Sequence, residues 1–324
     1  MKFSGLFDTV AEKTLKAIDD SIKADNGKTF KEQEQFYFSF ADLDAWKADT
    51  GELRDHLGAS QIGGECIRKV WLNFRCAEGK NDPRLIRLWN RGHLEEQRFL
   101  ALLKQAGIDV YFKDCLRKGK TQFGYTNGIF AGSIDGLAYG VPDCENEIVM
   151  LEFKTMSDKN FTAFQSKGLS EFQQYERQCY VNMYCMNKFT DCEKIFKFLI
   201  GDKVTTLKSQ RIEHTLFLAV NKNTDEIHAV ILNRNDQIAE QMLDRVAEIC
   251  NNKKLPEKLS DKSNFYICRM CNYHDFCFGE KELSENCRTC FLQNFDPGTC
   301  ELKCSLDINK FSKDCYTGID FEVR

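Results

Sequence analysis

The sequence of 324 residues is 42% hydrophobic and 29% charged, which is the composition of a folded protein in water and excludes a disordered scaffold. It shows neither a stretch of roughly 20 apolar residues that would cross a bilayer nor the apolar run of a secretory signal, so we expect a cytoplasmic protein. The formal net charge of −4 provides no general attraction to nucleic acid, so DNA binding would require a local basic groove.

The first 56 residues predict a helical arm ahead of the main domain. Apolar side chains from Phe7 to Ile22 recur at helical spacing, and a Phe-rich stretch follows from Phe30 to Trp46. We expect this arm to pack against the rest of the chain. The main domain is predicted for residues 57–256, and a cysteine-rich region for residues 257–324.

Two helices are predicted at the start of the main domain. Ser60 is a candidate N-cap for the first helix, in which Cys66 occupies an inward position among apolar residues. Pro83 suits the first turn of the second helix, which carries His93 and Glu96 on one side, three residues apart. The predicted buried face of this second helix comprises Leu85, Leu88, Trp89, Gly92, Phe99 and Leu103.

Strand patterns follow Gly107. The segments IDVYF, GIFAGSIDGLAYGV and IVMLEF predict strands, and the short connection between the last two predicts an antiparallel pair. A helix-rich stretch is predicted over about residues 161–186, a hairpin in TLFLAVNKNTDEIHAVIL and a further helix in IAEQMLDRVAEIC. Residues 189–214 look like an insertion before that hairpin. Together these elements predict an α/β fold in which helices flank a mixed β-sheet.

Two neighbouring predicted strands carry two acids and a lysine. Asp135 lies inside the strand-like run GSIDGLAYG, and Glu152 and Lys154 project from one face of the next strand, with Phe153 turned into the core. If the strands pair, the two acids repel each other unless a hard cation such as Mg²⁺ or Mn²⁺ neutralises them. Such an ion would bind a phosphate and activate a water, and the lysine would stabilise the charge growing on phosphorus. The trio therefore predicts phosphodiester hydrolysis, and an exposed salt bridge across the strands is the alternative.

Residues around the trio extend this prediction. His93 is a good additional ligand for Mn²⁺ or Mg²⁺ at a carboxylate site. Gln178 and Tyr180, beside Arg177 on a predicted helix, are placed to hydrogen-bond a phosphate or the attacking water. A set of basic and aromatic side chains on the same stretch predicts either a track for single-stranded DNA or a solvated helix face: Lys159, Phe161, Phe164, Lys167 and Arg177.

Half of the sixteen cysteines follow residue 267, where clustered thiolates in a reducing cytoplasm are metal ligands more often than disulfides. The segment ICRMCNYHDFC places Cys268, Cys271 and Cys277 at metal-ligand spacing, and Cys66 is the candidate fourth ligand. His274 is the alternative to Cys66. Four thiolates accept either zinc or a [4Fe–4S] cluster, so the spacing leaves both metals open.

A second group of cysteines follows the first. Two close pairs, Cys287 with Cys290 and Cys300 with Cys304, are separated by about ten residues, as in a zinc-ribbon-like knuckle. Cys315 is a stand-in for one of the four. The pattern predicts a second site, occupied by Zn²⁺.

The order of these motifs resembles a known family. GASQIGGEC, RGHLEE, GSIDG, LEFKT, a Gln/Tyr helix, LFLAVNKNTDE and CRMCNYHDFC follow one another within the span from Gly58 to Cys304. They resemble the PD-(D/E)XK nuclease superfamily, and within it the iron–sulfur-containing RecB-like and CRISPR-adaptation-type nucleases. The sequence is most similar to the bacteriophage-encoded exonuclease-like proteins of that branch. The resemblance implies a restriction-endonuclease-like core, and the host-cell cytoplasm as the location if the protein is phage-encoded.

The resemblance also implies roles for individual residues. Asp135 and Glu152 would bind Mg²⁺ or Mn²⁺, with His93 as the upstream histidine ligand. Lys154 would be the catalytic lysine, and Gln178 the helix glutamine. The expected activity is that of an exonuclease on single-stranded DNA or duplex ends. A [4Fe–4S] cluster would be held by Cys66, Cys268, Cys271 and Cys277.

The chain departs from the family at one helix. It has Gln173 and Glu176 where such proteins tend to show a histidine and paired glutamines. This departure supports an alternative hypothesis, a DNA-binding or assembly module that keeps the fold without cutting. An iron–sulfur redox protein, in which the cluster is the active group, is a further alternative.

Overall fold

The computed structural model describes residues 8–39, 56–75, 83–114, 116, 122–279, 284–306 and 312–319. The chain forms two compact units. The first, which we call the sheet unit, comprises Met1–Lys47, Arg87–Tyr125 and Ser133–Ala239. The second, the cysteine unit, comprises Ala48–Ile86, Thr126–Gly132 and Glu240–Arg324. The predictions made for Trp46 and for the side chain of Leu85 lie outside the described residues.

The described strands are β1 (Asp8–Val10), β2 (Leu57–Gly58), β3 (Asp109–Tyr111), β4 (Gly124–Asn127), β5 (Phe130–Ser133), β6 (Gly136–Tyr139), β7 (Ile148–Met156), β8 (His214–Asn221), β9 (Ile227–Asn233), β10 (Gln293–Asp296) and β11 (Glu301–Cys304). The described helices are α1 (Glu12–Asp25), α2 (Lys28–Phe38), α3 (Ala59–Ile62), α4 (Ile67–Arg75), α5 (Pro83–Gln105), α6 (Asp158–Lys167), α7 (Gln173–Phe189), α8 (Cys192–Ile200), α9 (Asp236–Asn251), α10 (Tyr266–Arg269) and α11 (His274–Phe278).

A six-stranded mixed sheet with the order β1-β9-β8-β7-β6-β3 forms the centre of the sheet unit. β7 and β8 pair in parallel and every other neighbouring pair is antiparallel, as predicted for β6 with β7 and for the β8–β9 hairpin. β7 and β8 are almost continuously buried, which is why both are nearly unbroken apolar runs. The prediction of an α/β protein with helices flanking a mixed sheet is confirmed.

The core of the sheet unit lies between the sheet and helices α1 and α5. Ile18 of α1 and Phe99 and Leu103 of α5 are buried in the same apolar cluster as Leu151 and Phe153 of β7. The predicted buried face of α5 is therefore correct for its C-terminal half. It is wrong for Trp89, whose side chain is 51% exposed, because burial along α5 begins only at Glu95.

The N-terminal arm contributes a strand that the sequence patterns did not predict. β1 pairs with β9 at the edge of the sheet. Asp8 Oδ2 accepts a hydrogen bond from Leu169 N (2.8 Å), beside Gly168, which has a φ of +67°. This contact coincides with the end of α6, and a short 3-10 helix over 168–172 follows. The helix-rich stretch predicted over about 161–186 is confirmed, and it consists of two helices, α6 and α7.

The helix predicted to begin at Ser60 is also divided. α3 covers only Ala59–Ile62, its N-cap is Gly58, and the Gln61 side chain accepts a hydrogen bond from Gly58 N (3.2 Å). Gly63 is the C-cap of α3, and α4 begins at Ile67. Cys66 therefore lies directly before α4 and is partly exposed, instead of facing inward from the middle of a helix.

A buried arginine joins the elements of the cysteine unit. Arg75, at the end of α4, is 1% exposed and donates hydrogen bonds to the carbonyls of Cys250, Asn252 and Arg288. Its guanidinium lies over the Trp71 ring, 5.1 Å from the centroid. These bonds pair the Nη atoms of the charged group with backbone carbonyls inside the unit and link α4 to the end of α9 and to the cysteine-rich segment. Across the described residues, we find no helix with the length and apolarity that a bilayer crossing demands.

Candidate active site

Asp135 lies in the short connection between β5 and β6, and not inside one continuous strand as predicted. Its Oδ2 accepts a hydrogen bond from Phe153 N (2.6 Å), which fixes the carboxylate against β7. A Cβ atom on the next residue, Gly136, would lie 2.8 Å from Tyr111 O on the neighbouring strand. The glycine after Asp135 is therefore required by the close approach of β3 to β6.

β7 places the other two members of the trio on one face of the sheet. Glu152 is 1% exposed, and the Lys154 ammonium forms an ion pair with its Oε1. Between them, Phe153 points to the opposite face, where its ring stacks on Phe99 with centroids 4.8 Å apart. The alternation predicted from the sequence is present, and the ion pair is largely buried instead of exposed.

Helix α7 covers this face of β7 with two side chains. Gln178 Nε2 donates a hydrogen bond to Glu152 Oε1 (2.9 Å), and both groups are buried. Tyr175, one turn earlier, presents its ring to Lys154, whose Nζ lies 5.3 Å from the ring centroid. Gln178 therefore holds the Glu152 carboxylate in place, and the Tyr175 ring confines the ammonium.

The second oxygen of Glu152 is the exceptional atom of the site. Glu152 Oε2 is buried, and it accepts no hydrogen bond from any residue that the structure describes. A buried acceptor without a partner costs about 1–3 kcal/mol, and more when the group is charged. This oxygen lies beside a second carboxylate, and a bound cation would supply the partner that it lacks among the described residues.

The charges around Asp135 are crowded. Burial, followed by the carboxylates of Glu152 and Glu96, raises the pKa of Asp135 well above its usual value, against the opposing effect of Lys154. Burial opposes the charged form of Lys154, but Glu152 and Asp135 outweigh it and raise the lysine pKa. The Lys154 ammonium therefore stays charged, and its single positive charge acts on more than one carboxylate.

His93 reaches the acids through a neighbour. Its Nδ1 lies 3.3 Å from Glu96 Oε1, one turn further along α5, and its side chain is 53% exposed. The hydrogen bond with Glu96 raises the pKa of His93. Glu96 is thus the residue of α5 whose charge helps to raise the pKa of Asp135, and His93 is in contact with Glu96.

Several predicted contacts of the α6–α7 region are wrong. Tyr180 is completely buried and donates to Glu176 Oε1 (3.1 Å), so it is not available to a phosphate. Phe161 and Phe164 are at most 1% exposed and belong to the core, so they cannot stack on bases. Gln173 accepts a hydrogen bond from Arg177 (2.8 Å) on its own helix.

Two residues of the site were not singled out as functional from the sequence. Glu96 was noted only as a neighbour of His93, and Tyr175 was not considered. Helical spacing could have indicated both residues. Glu96 lies three residues after His93, and Tyr175 lies three residues before Gln178, so each shares a helix face with a predicted site residue.

One cavity of the cysteine unit is lined by all four thiols of the first cysteine group, Cys66, Cys268, Cys271 and Cys277, and by His274. Burial, and then the other three thiols of the group, raise the pKa of Cys268. Two of the sulfurs accept backbone hydrogen bonds, Cys66 from Lys69 N (3.4 Å) and Cys271 from Tyr273 N (3.4 Å). Such donors favour thiolates.

In the second cysteine group, three other thiols act on Cys287. Burial raises the pKa of Cys287, followed by the thiols of Cys290, Cys304 and Cys315. Cys300 instead accepts a hydrogen bond on Sγ from Asn127 Nδ2 (3.2 Å). Across both groups and the rest of the described chain, no three His, Cys, Asp or Glu side chains already stand at the mutual distances that surround one metal ion.

No family model matches this sequence, and no curated protein matches it. Among solved structures, the chain is similar to the crystal structure of SSO0001, with a TM-score of 0.35 and 12% sequence identity. The similarity covers 76% of this chain and 97% of that chain. A likeness at this TM-score carries no argument about fold or function.

Proposed function

We propose that this chain is a divalent-metal-dependent DNA nuclease of the PD-(D/E)XK type that removes nucleotides from DNA ends. The observation that carries the proposal is that Glu152 Oε2 is buried without a hydrogen-bond partner among the described residues, next to an Asp135 whose ionised form is disfavoured by burial and then by the same carboxylate. A protein that only needed a stable sheet would gain by replacing this arrangement with apolar side chains.

The residues present fit a hard cation. Asp135 and Glu152 offer carboxylate oxygens, the ligands that Mg²⁺ and Mn²⁺ prefer. The charge of Glu96 on α5 acts on Asp135, and His93 contacts Glu96. When bound, such an ion would offset the carboxylate charges and hold the scissile phosphate. It would also lower the pKa of a water, so that the water loses a proton more easily and attacks the phosphate.

The other side chains of the site have roles that follow from their contacts. Lys154 keeps its positive charge and is confined by Tyr175, so it supplies a fixed ammonium for the negative charge that develops on the phosphate. Gln178 orients Glu152 through its hydrogen bond to Oε1. Both Gln173 and Glu176, the departures from the family pattern, bond within α7 and leave this set of contacts intact.

We propose further that Cys66, Cys268, Cys271 and Cys277 hold a [4Fe–4S] cluster. These four thiols line one cavity, together with apolar side chains that include Leu72 and Phe278. An apolar enclosure of four thiolates suits a cluster, whose stability depends on restricted access of solvent. When bound, the cluster would cross-link the start of α4 to helices α10 and α11.

The nuclease proposal is tested by digesting end-labelled single-stranded and duplex DNA with Mg²⁺ or Mn²⁺. We expect release of labelled mononucleotides, and a loss of rate of about 100- to 1,000-fold in Lys154→Ala, as for removal of one charge-stabilising donor. Lys194→Ala, an exposed lysine on α8, is the matched control and should cut normally. DNA that stays intact with the unaltered protein, yet is retarded on a gel, would instead support the DNA-binding module.

A further inference from the structure

The CxxC pair of the second cysteine group lies at the base of a small hairpin. Cys287 begins a 3-10 turn, and Cys290 N donates back to Cys287 O (3.2 Å). β10 follows and pairs with β11 in the register Gln293 opposite Cys304. Gln293 N in turn donates to Cys290 O (3.3 Å). The backbone therefore places Cys304, at the end of β11, beside the CxxC turn.

A third segment, residues 312–319, closes over the same turn. Cys290 forms an isolated antiparallel bridge with Gly318, and Phe291 N donates to Thr317 O (2.6 Å). The Tyr316 hydroxyl donates to Thr289 O (3.2 Å). Cys315 directly precedes this paired stretch, which brings its thiol to the turn that carries Cys287 and Cys290.

Cys300 is closer to Cys304 in the sequence than Cys315 is, but its contacts hold it at a different turn. It has a φ of +53°, and its carbonyl accepts a hydrogen bond from Ile129 N (2.6 Å). Gly128 comes so close that an added Cβ would overlap the Cys300 carbonyl. Together with the Asn127 contact to Sγ, these interactions fix Cys300 on the turn at residues 127–129.

The segment that contains this group buries little apolar surface. Between residues 284 and 319, the buried apolar side chains among the described residues are Cys290, Phe295 and Ile319. Elements this short, with such a small core, usually need a metal or disulfides to hold their shape. All fourteen described cysteines are free thiols. Since the thiols of this segment are not joined in disulfides, a metal ion bound by them is the cross-link that would hold the segment in shape.

We propose that Cys287, Cys290, Cys304 and Cys315 bind one structural Zn²⁺, with Cys315 and not Cys300 as the fourth ligand. The four thiols come from a CxxC turn, a hairpin end and a covering segment, which is the arrangement of a closed tetrahedral Cys₄ site. Because the thiols are gathered but not yet at ion-binding distances, loading requires their side chains to turn towards a common point. Cys287 is exposed, and zinc, which has no redox chemistry, suits such an open position better than an iron–sulfur cluster.

The test compares Cys315→Ser with Cys300→Ser in the full-length protein. Zinc and iron content are measured on the purified, reduced protein, and zinc affinity by competition with a chromophoric chelator. We expect one tightly held zinc per chain in the unaltered protein and in Cys300→Ser. Cys315→Ser should lose at least about 100-fold in affinity, since even outer-shell partners of a metal are worth roughly 10- to 100-fold.

Two further variants separate a lost ligand from a lost fold. Cys315→His supplies a different zinc ligand at the same position and should retain zinc that Cys315→Ser releases. Cys268→Ser should lower the iron content and leave the zinc in place, which assigns the two metals to different groups. The proposal is overturned if Cys300→Ser loses zinc while Cys315→Ser keeps it, if iron occupies this group, or if intact mass shows disulfides among the four thiols.

Discussion

Gln178 is the residue whose removal best tests the architecture of the acidic site. Its Nε2 donates a buried hydrogen bond of 2.9 Å to Glu152 Oε1, on a carboxylate whose other oxygen has no partner among the described residues. Gln178→Ala leaves Lys154 as the partner of that carboxylate among the residues that the structure describes. A hydrogen bond to a charged group is worth about 1.5–3 kcal/mol, so we expect a loss of this size in the free energy of unfolding without divalent ions.

This loss corresponds to a decrease of about 3–12 °C in the midpoint of thermal unfolding for a unit of 150–250 residues. The matched control is Gln174→Ala, the same substitution at an exposed position one turn earlier on α7. We expect that variant to stay within about 0.5 kcal/mol of the unaltered protein. Both values come from urea or thermal unfolding followed by circular dichroism in the presence of a chelator.

The second half of the experiment adds Mn²⁺. If Gln178 orients a metal ligand, its loss should lower the affinity of the site for Mn²⁺ by roughly 10- to 100-fold, as for other outer-shell partners. The stabilisation by Mn²⁺ should then be smaller in Gln178→Ala by about 1.4–2.7 kcal/mol at saturating concentration for the unaltered protein. If Gln178→Ala matches Gln174→Ala both with and without Mn²⁺, the assignment of Gln178 as the positioning residue of Glu152 is wrong.

Three other substitutions test separate parts of the fold. Phe99→Ala removes a core ring and should cost about 3–5 kcal/mol in urea unfolding, whereas Trp89→Ala, on the exposed part of the same helix, should cost less than about 1 kcal/mol. Gly128→Ala should destabilise the cysteine unit by more than the roughly 1–2 kcal/mol expected of Gly140→Ala, because both glycines have a positive φ but only the first would overlap a neighbouring carbonyl. Burial raises the pKa of Glu176 above its ordinary 4.5, so its contribution to stability is lost as the pH rises through the raised pKa. Glu176→Gln should therefore be more stable than the unaltered protein at about pH 8 and equal to it at about pH 4.

The strand that carries the acidic site could be predicted because its information is local. Glu152 and Lys154 share a face and Phe153 takes the other simply because side chains alternate along a strand. The break before β6 could not be predicted in this way. The run GIFAGSIDGLAYGV is apolar enough to suggest one strand, and only the pairing of Gly136 with β7 shows where the new strand begins, just after Asp135.

The rest of the site depends on contacts between elements that are distant in the sequence. Helical spacing places Glu96 and His93 on one side of α5, but it does not say which of them comes nearer to the acids. That order depends on how α5 crosses the sheet, which is set by the packing of Phe99 against Phe153. The sequence therefore favoured the histidine for its chemistry, while the structure brings the charge of Glu96 to bear on Asp135.

The two cysteine groups also differ in how far local sequence patterns, as opposed to contacts between distant residues, decide which thiols come together. In the first group, three thiols lie within ten residues, and the turn geometry of CxxC was sufficient to predict that they line one cavity. In the second group, spacing favoured Cys300 over Cys315, since Cys300 stands only four residues before Cys304. Our proposal of Cys315 instead rests on two backbone interactions, the bond between Ile129 and Cys300 and the bridge between Cys290 and Gly318. Each of these pairs residues that are far apart along the chain, so the zinc ligands proposed for a region with so small a core depend on long-range backbone pairing more than on spacing.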